Sequence, residues 1–187
     1  MEEEVQLIIE DATERMHAPI NHLKQELSKI RAGKASPAML EGIMVEYYGA
    51  ATPISQVANV SAPDPRTIAV QPWEQAIIPM IEKAILTSNL GFNPSNDGTI
   101  IRVPVPPLTE DRRKSLVKQV KTEGENARVS ARNIRRDANE EFKKLKKDGL
   151  GEDACKDAES KIQVLTDATI KKIDETLNAK EADIMTL

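Results

Sequence analysis

The longest uninterrupted helical pattern in the chain runs from Thr109 to about Lys147, and the rest of the sequence has to be arranged around it. At 1.5 Å per residue this is a rod about 58 Å long, broken by Gly149 and Gly151. At about 100° per residue, Ala127, Ala131, Ile134 and Ala138 fall on one stripe, continued by Val120 before them and by Phe142 and Leu145 after. A stripe this long is buried by helices of similar reach, and two other segments have the matching pattern. From Val5 onward Ile9, Ala12, Met16, Ile20, Leu23, Leu27 and Ile30 recur at threes and fours, which predicts a helix of about 27 residues. From about Glu152 to Met185 the series Ala158, Ile162, Leu165, Thr169, Ile173, Leu177 and Ile184 repeats it. Three such helices joined in this order predict an up-down-up bundle. Pro19 interrupts the first, since an interior proline deletes one helix hydrogen bond and should kink the rod or let it fray. Thr109 is placed to cap the long helix, with Glu110 and Asp111 supplying the acidic first turn that the helix dipole favours.

Between the first and second long helices the pattern changes. Ten of the eleven prolines lie between Pro37 and Pro107, and residues 32–108 hold only 10 of the 56 charged side chains. Short β-rich runs bounded by turn residues cover Ile43 to Tyr48, Ser55 to Ser61, Thr67 to Gln71 and Thr99 to Val103. One helix is predicted among them, from about Glu74 to Asn89 with Ile77, Ile81, Ala84 and Ile85 inward and Gly91 ending it. The fold class expected is therefore α+β: an elongated three-helix bundle from residues 1–31 and 106–187, with a small β/α/β domain inserted over 32–105. Two crossings, near 31–34 and 103–107, tether the insert, and hinge residues are expected at Arg31, Ala32, Gly33, Pro104, Val105 and Pro106. Prolines with fixed φ and no N–H make the second crossing a semi-rigid strap, which suits swinging about a hinge better than free tumbling. Trp73, Tyr47 and Tyr48 lack the interleaved basic residues of a base-stacking platform and read as core or turn packing.

The formal net charge of −4 is unevenly distributed. Residues 109–148 carry 13 basic and 8 acidic side chains, whereas each of the other segments is net negative. Within the positive segment Arg128, Arg132, Arg135 and Arg136 sit at i, i+4, i+7 and i+8, an arc of roughly 100° displaced by about a third of a turn from the apolar stripe. Arg128 has Glu125 three residues back and Arg136 has Glu140 four residues on. Arg132 and Arg135 have no acid at i±3 or i±4, and Arg132 is flanked by arginines instead. That crowding costs a few tenths of a kcal/mol per like-charged pair unless an anion docks there, and a phosphate backbone would suit. The lysines Lys143, Lys144, Lys146 and Lys147 complement the dipole at the helix end.

Other chemistry is not signalled. There is no P-loop, no dinucleotide-binding glycine pattern, no H-E-x-x-H and no Cys/His ligand set, so no metal, cofactor or catalytic residue is expected. His17 and His22, five apart, do not have the i, i+4 spacing of a helical metal pair, and Cys155 is alone, which points to a reducing compartment. The acidic opening MEEEVQLIIE lacks a basic n-region, and no window approaches a membrane span, so a cytoplasmic protein with no membrane partner is expected. From the residues alone, two functions stay open: an RNA-facing contact protein, and a chaperone-like bundle whose small domain binds a protein client, because an arginine ridge also meets acidic protein.

The segments KIRAGKASPAMLEGIMVEYYG, PISQVANVSAPDPRTIAVQPW, IEKAILTSNLGFNPSNDGTIIRVPVPPLTEDRRK, ARVSARNIRRDAN and KDAESKIQVLTDATIKKIDETLNAKEADIM together resemble the ribosome recycling factor family. The resemblance spans nearly the whole chain; its most specific parts are IRAGKASP, RVPVPPLTE and RNIRRDAN, and Pro19 departs from the pattern. It implies a three-helix bundle and a β/α/β domain set at roughly a right angle, with an L-shaped, tRNA-like outline. It also implies a monomer that binds the large ribosomal subunit after termination. Elongation factor G, which carries the GTP, then drives it to split the subunits and release mRNA and tRNA. Carried over residue by residue, Arg132 becomes a principal rRNA contact assisted by Arg128, Arg135 and Arg136, with Arg31 and Lys34 as further contacts beside the hinge.

Overall fold

The structure is a computed structural model that describes residues 1–30 and 33–186. It divides into two compact units, Met1–Ala32 with Glu110–Leu187, and Gly33–Thr109. The first unit holds α1 (Glu2–Arg15), α2 (His17–Lys29), α4 (Glu110–Lys147) and α5 (Glu152–Met185); the second holds six short strands and α3 (Ile78–Leu86).

The single first helix expected from the apolar pattern is two helices, interrupted at Met16. The cause is Pro19, three residues further on: it has no N–H to offer the carbonyl of Arg15, and its ring would crowd that carbonyl in a continuous helix. As the third residue of α2, Pro19 stands where a helix leaves N–H groups without an internal partner. Met16 keeps helical torsions and is buried, so the apolar stripe runs through the break with Ala12, Met16, Pro19, Leu23 and Leu27 inward.

The packing face of α4 is Leu116, Val120, Gly124, Ala127, Ala131, Ile134, Ala138 and Phe142; Leu145 is only half-buried. The buried face of α5 is Cys155, Ala158, Ile162, Thr166, Thr169, Ile173, Leu177 and Ile184. The two buried threonines satisfy their hydroxyls by donating to the carbonyls of Ile162 and Leu165, at 2.8 and 2.9 Å. Small residues let the two helices approach closely. At Gly124 an added Cβ would lie 2.3 Å from Cδ1 of Leu177.

In the second unit β1 (Met44–Tyr47) and β2 (Ala50–Pro53) form a hairpin turned at Tyr48-Gly49, both at positive φ. The other strands, β3 (Ala58–Asp64), β4 (Thr67–Pro72), β5 (Ser95–Asn96) and β6 (Ile101–Pro104), make an antiparallel sheet of order β3-β4-β6-β5. Leu40, Val45, Ile68, Val70, Ile81, Ile85, Ile101 and Val103 form its fully buried core. The helix expected from Glu74 to Asn89 is shortened at both ends. Pro79 fixes the first turn of α3 after a 3-10 turn at Gln75–Ile77, and left-handed torsions at Asn89 and Gly91 end the segment.

Trp73 and Tyr48 are not core residues. They are 67% and 76% exposed, at the end of β4 and in the β1–β2 turn, and only Tyr47 packs partly against the core. The tyrosine rings meet edge to face at 4.5 Å, and both hydroxyls donate to the Glu74 carboxylate, at 2.9 Å from Tyr47 and 2.7 Å from Tyr48.

Candidate nucleic-acid interface

The buried stripe of α4 fixes where its arginines stand. With Ala127, Ala131, Ile134 and Ala138 turned inward, Arg128, Arg132, Arg135 and Arg136 occupy the flank beside that stripe, from which Arg128 and Arg135 reach α5. Arg128 is half-buried and makes the most bonds of the four. Its Nε and Nη2 donate to Oδ1 of Asp174 on α5, at 3.0 and 2.6 Å, while Nη1 stands 3.3 Å from Oε2 of Glu125. The hydrogen bond to Asp174 raises its already high pKa, against a smaller opposing effect of burial. It is a fixed cation.

Arg132, with 46% of its side chain exposed, donates from Nη1 to Oε1 of Glu125 at 3.1 Å. This acid is seven residues back, two turns away and so outside the i±3 and i±4 neighbours of Arg132. Two turns bring position i−7 within about 20° of the starting direction, and two long side chains span the roughly 10 Å of axial separation. The reading of Arg132 as surrounded only by like charge is therefore corrected. Arg135 also finds a partner across the helix pair: Nη1 donates to Oε1 of Gln163 at 3.1 Å, and Gln163 donates in turn to Asp167 at 2.8 Å. Arg136 is exposed and, among the described residues, makes no ion pair, so the expected contact with Glu140 is not formed. The flank is graded, from a clamped Arg128 through singly held Arg132 and Arg135 to an open Arg136.

Gln163 and Asp174 are the members of this site that sequence reasoning missed, together with the second contact of Glu125, which the spacing paired with Arg128 alone. Glu125 was legible as a two-turn neighbour; Gln163 and Asp174 depend on how α5 is docked, for which the sequence carries no local signal. On the opposite flank of α4 Asp137 accepts from Arg15 of α1 at 2.8 Å, which ties the first helix to the second long one.

The remaining candidates sit elsewhere. Arg31 and Ala32 lie outside the described residues. Lys34 is exposed at the start of the small unit. Gly33 adopts φ +73°, and a Cβ there would meet Cγ of Leu108 at 2.4 Å, so only glycine fits. Two backbone bonds anchor the ends of this unit on one turn: the Ala35 N–H donates to the Pro65 carbonyl at 2.8 Å, and the Val105 N–H donates to the Arg66 carbonyl at 2.7 Å. Pro104 ends β6, in register with Thr67, Val105 is buried in the sheet core, and Pro106 is exposed. His17 and His22 are both exposed. Among the described residues no group of three or more His, Cys, Asp or Glu is placed to hold a metal ion, and no helix is long and apolar enough to cross a membrane.

Fold and flank together define a class: an α+β protein in two units, built on a charged helical bundle and working by contact. The chain belongs to the ribosome recycling factor family, whose model, described as "Ribosome recycling factor", matches residues 23–185. This is a family of translation factors acting in ribosome recycling, not of enzymes. The ribosome-recycling factor of Flavobacterium johnsoniae is 56% identical over 185 residues, covering 99% of each chain. That of Porphyromonas gingivalis is 52% identical, covering 98% of this chain and all of the relative. A solution structure of the ribosome recycling factor superposes with a TM-score of 0.66 at 41% identity, covering 98% of both chains. A second structure, at 45% identity and a TM-score of 0.59 over 97% of this chain and 98% of its own, is that of the T. thermophilus ribosome recycling factor; it is placed with E. coli elongation factor G on the E. coli post-termination complex.

Proposed function

We propose that this protein binds the post-termination ribosome through the arginine flank of α4 and, with elongation factor G and GTP, separates the subunits and frees mRNA and tRNA. The observation that carries the reading is a family match over residues 23–185 that takes in the whole flank and both crossings. The relative placed with elongation factor G on a post-termination complex supports the choice of partners. Arg128, Arg132, Arg135 and Arg136 meet rRNA phosphates of the large subunit, with Arg31 and Lys34 as further contacts. The work comes from the partner's GTP; this chain is the lever, and Arg31, Ala32, Gly33, Pro104, Val105 and Pro106 form the region about which the small domain swings.

The graded flank suits that task. Arg128, clamped by Asp174, keeps its charge in one place, and Arg132 and Arg136 have exposed guanidinium groups for phosphate oxygens. Neutralising three or four phosphates gives a slope of log affinity against log salt of roughly −2 to −4. Co-sedimentation with ribosomes across a salt series tests this. Arg132→Ala is expected to weaken binding by about 1–3 kcal/mol with the helical signal intact. A salt-independent association, or a variant that binds as wild type does, would remove the flank from the account.

A further inference from the structure

The carboxylate of Glu125 is shared. Its Oε1 lies 3.1 Å from Nη1 of Arg132 and its Oε2 lies 3.3 Å from Nη1 of Arg128, so each oxygen serves a different arginine. Two non-bridging oxygens of a phosphate have a similar bite and take the same guanidinium donors. Arg128 is held from behind by Asp174 at 2.6 Å and has its Nη1 left to face Glu125. The geometry points to Glu125 as a resident stand-in for phosphate: it occupies the anion position between Arg128 and Arg132 in the free protein and is displaced when an rRNA phosphate arrives. This rests on the reading of the flank as an rRNA contact and adds a residue that sets how tightly the contact holds and how readily it lets go.

Displacement has a place to go. Lys121 stands four residues before Glu125 and lines the same groove as Glu125, Arg128 and Asp174. A Lys that precedes its Glu by four is in the weaker of the two orientations on a helix. With no phosphate present, Glu125 therefore stays with the arginines, and the lysine receives it only once they are engaged elsewhere. With 55% of its side chain exposed, Glu125 turns without disturbing the core. An exposed pair of this kind exchanges at small cost, which is what a factor that must bind and then leave requires.

The test compares wild type, Glu125→Gln, Arg132→Ala and the double variant, with Glu140→Gln as an equal charge change on an exposed α4 residue that makes no ion pair among the described residues. Two readouts are used: dissociation from ribosomes, and elution from heparin, a polyanion with none of the ribosome's architecture. Glu125→Gln is expected to bind ribosomes about two- to fivefold more tightly and leave more slowly, and to elute from heparin at higher salt than Glu140→Gln. Adding Glu125→Gln to Arg132→Ala is expected to gain less than it does in wild type, because only Arg128 is then left to be released. The inference is overturned if Glu125→Gln behaves as Glu140→Gln on heparin, or if its gain is as large without Arg132 as with it. The underlying reading fails separately, through Arg132→Ala binding ribosomes as wild type does.

Discussion

A methyl group added at Gly124 would test how closely α4 and α5 are packed beneath the arginine flank. Glycine within an exposed helix normally costs about 1 kcal/mol relative to alanine, so Gly124→Ala would stabilise the chain if nothing stood opposite. Here the new Cβ would lie 2.3, 2.8 and 3.1 Å from Cδ1, Cδ2 and Cγ of Leu177, a side chain only 4% exposed and therefore unable to swing into water. Overpacking a core by one methyl costs about 1–3 kcal/mol and can exceed that where three atoms are struck. The net expectation is a loss of about 0–2 kcal/mol, with the helix-propensity gain already subtracted. Leu177→Ala alone should cost about 2–5 kcal/mol through the cavity it leaves. Because the alanine at 124 would sit in that cavity, the double variant should lose less than the sum of the two, by about 1 kcal/mol or more. Urea denaturation followed by helical circular dichroism measures all three. A Gly124→Ala protein more stable than wild type, or strict additivity, would refute the close approach. The site is coupled to this packing, since Asp174, which clamps Arg128, stands three residues before Leu177 on α5.

Other perturbations follow from the small domain and its tethers. Asp97 accepts hydrogen bonds from the Ile100 and Thr99 N–H groups, the Thr99 hydroxyl and Arg102, which hold its carboxyl well below the usual carboxylate range. Its folded pKa is depressed, so its stabilising contribution is present above about pH 4 and is lost as the pH falls further. Asp97→Asn should therefore flatten the acid limb of the domain's pH–stability curve, and an unchanged limb would argue against the turn. The chain has two tyrosines, and hydrogen bonds to the Glu74 carboxylate raise the pKa of both hydroxyls. In Glu74→Gln, tyrosinate absorbance should rise at lower pH than in wild type; coincident titration curves would contradict the shared carboxylate. Replacing Pro104, Pro106 and Pro107 by glycine should leave ribosome binding in place and reduce splitting, because a looser strap transmits less force. Unchanged splitting would remove the lever argument.

Much of this architecture was legible because its signals are local and repeated. The stripe from Val120 to Phe142 needed only the 3.6-residue period, and the turn chemistry at Asn96-Asp97-Gly98 and the prolines marked off the antiparallel domain. The misses have physical causes. A proline disturbs a helix through the carbonyl four residues earlier, so the break falls at Met16 and not at Pro19. The strand Ala50–Pro53 is short and lacks the alternation of a half-buried strand, and Trp73 is exposed although large aromatic residues are usually covered. At the site the row of arginines followed from spacing alone. Their partners did not: Asp174 and Gln163 come from another helix, and no periodicity within α4 reports how that helix is docked.

The most direct test of the central claim is light scattering of post-termination ribosomes mixed with this protein, elongation factor G and GTP, with wild type and Arg132→Ala run side by side. The account predicts a fall in scattering with wild type as the subunits part, and little or none with the folded variant at the same concentration. Failure of wild type to split the ribosomes, or equal splitting by the variant, would contradict it.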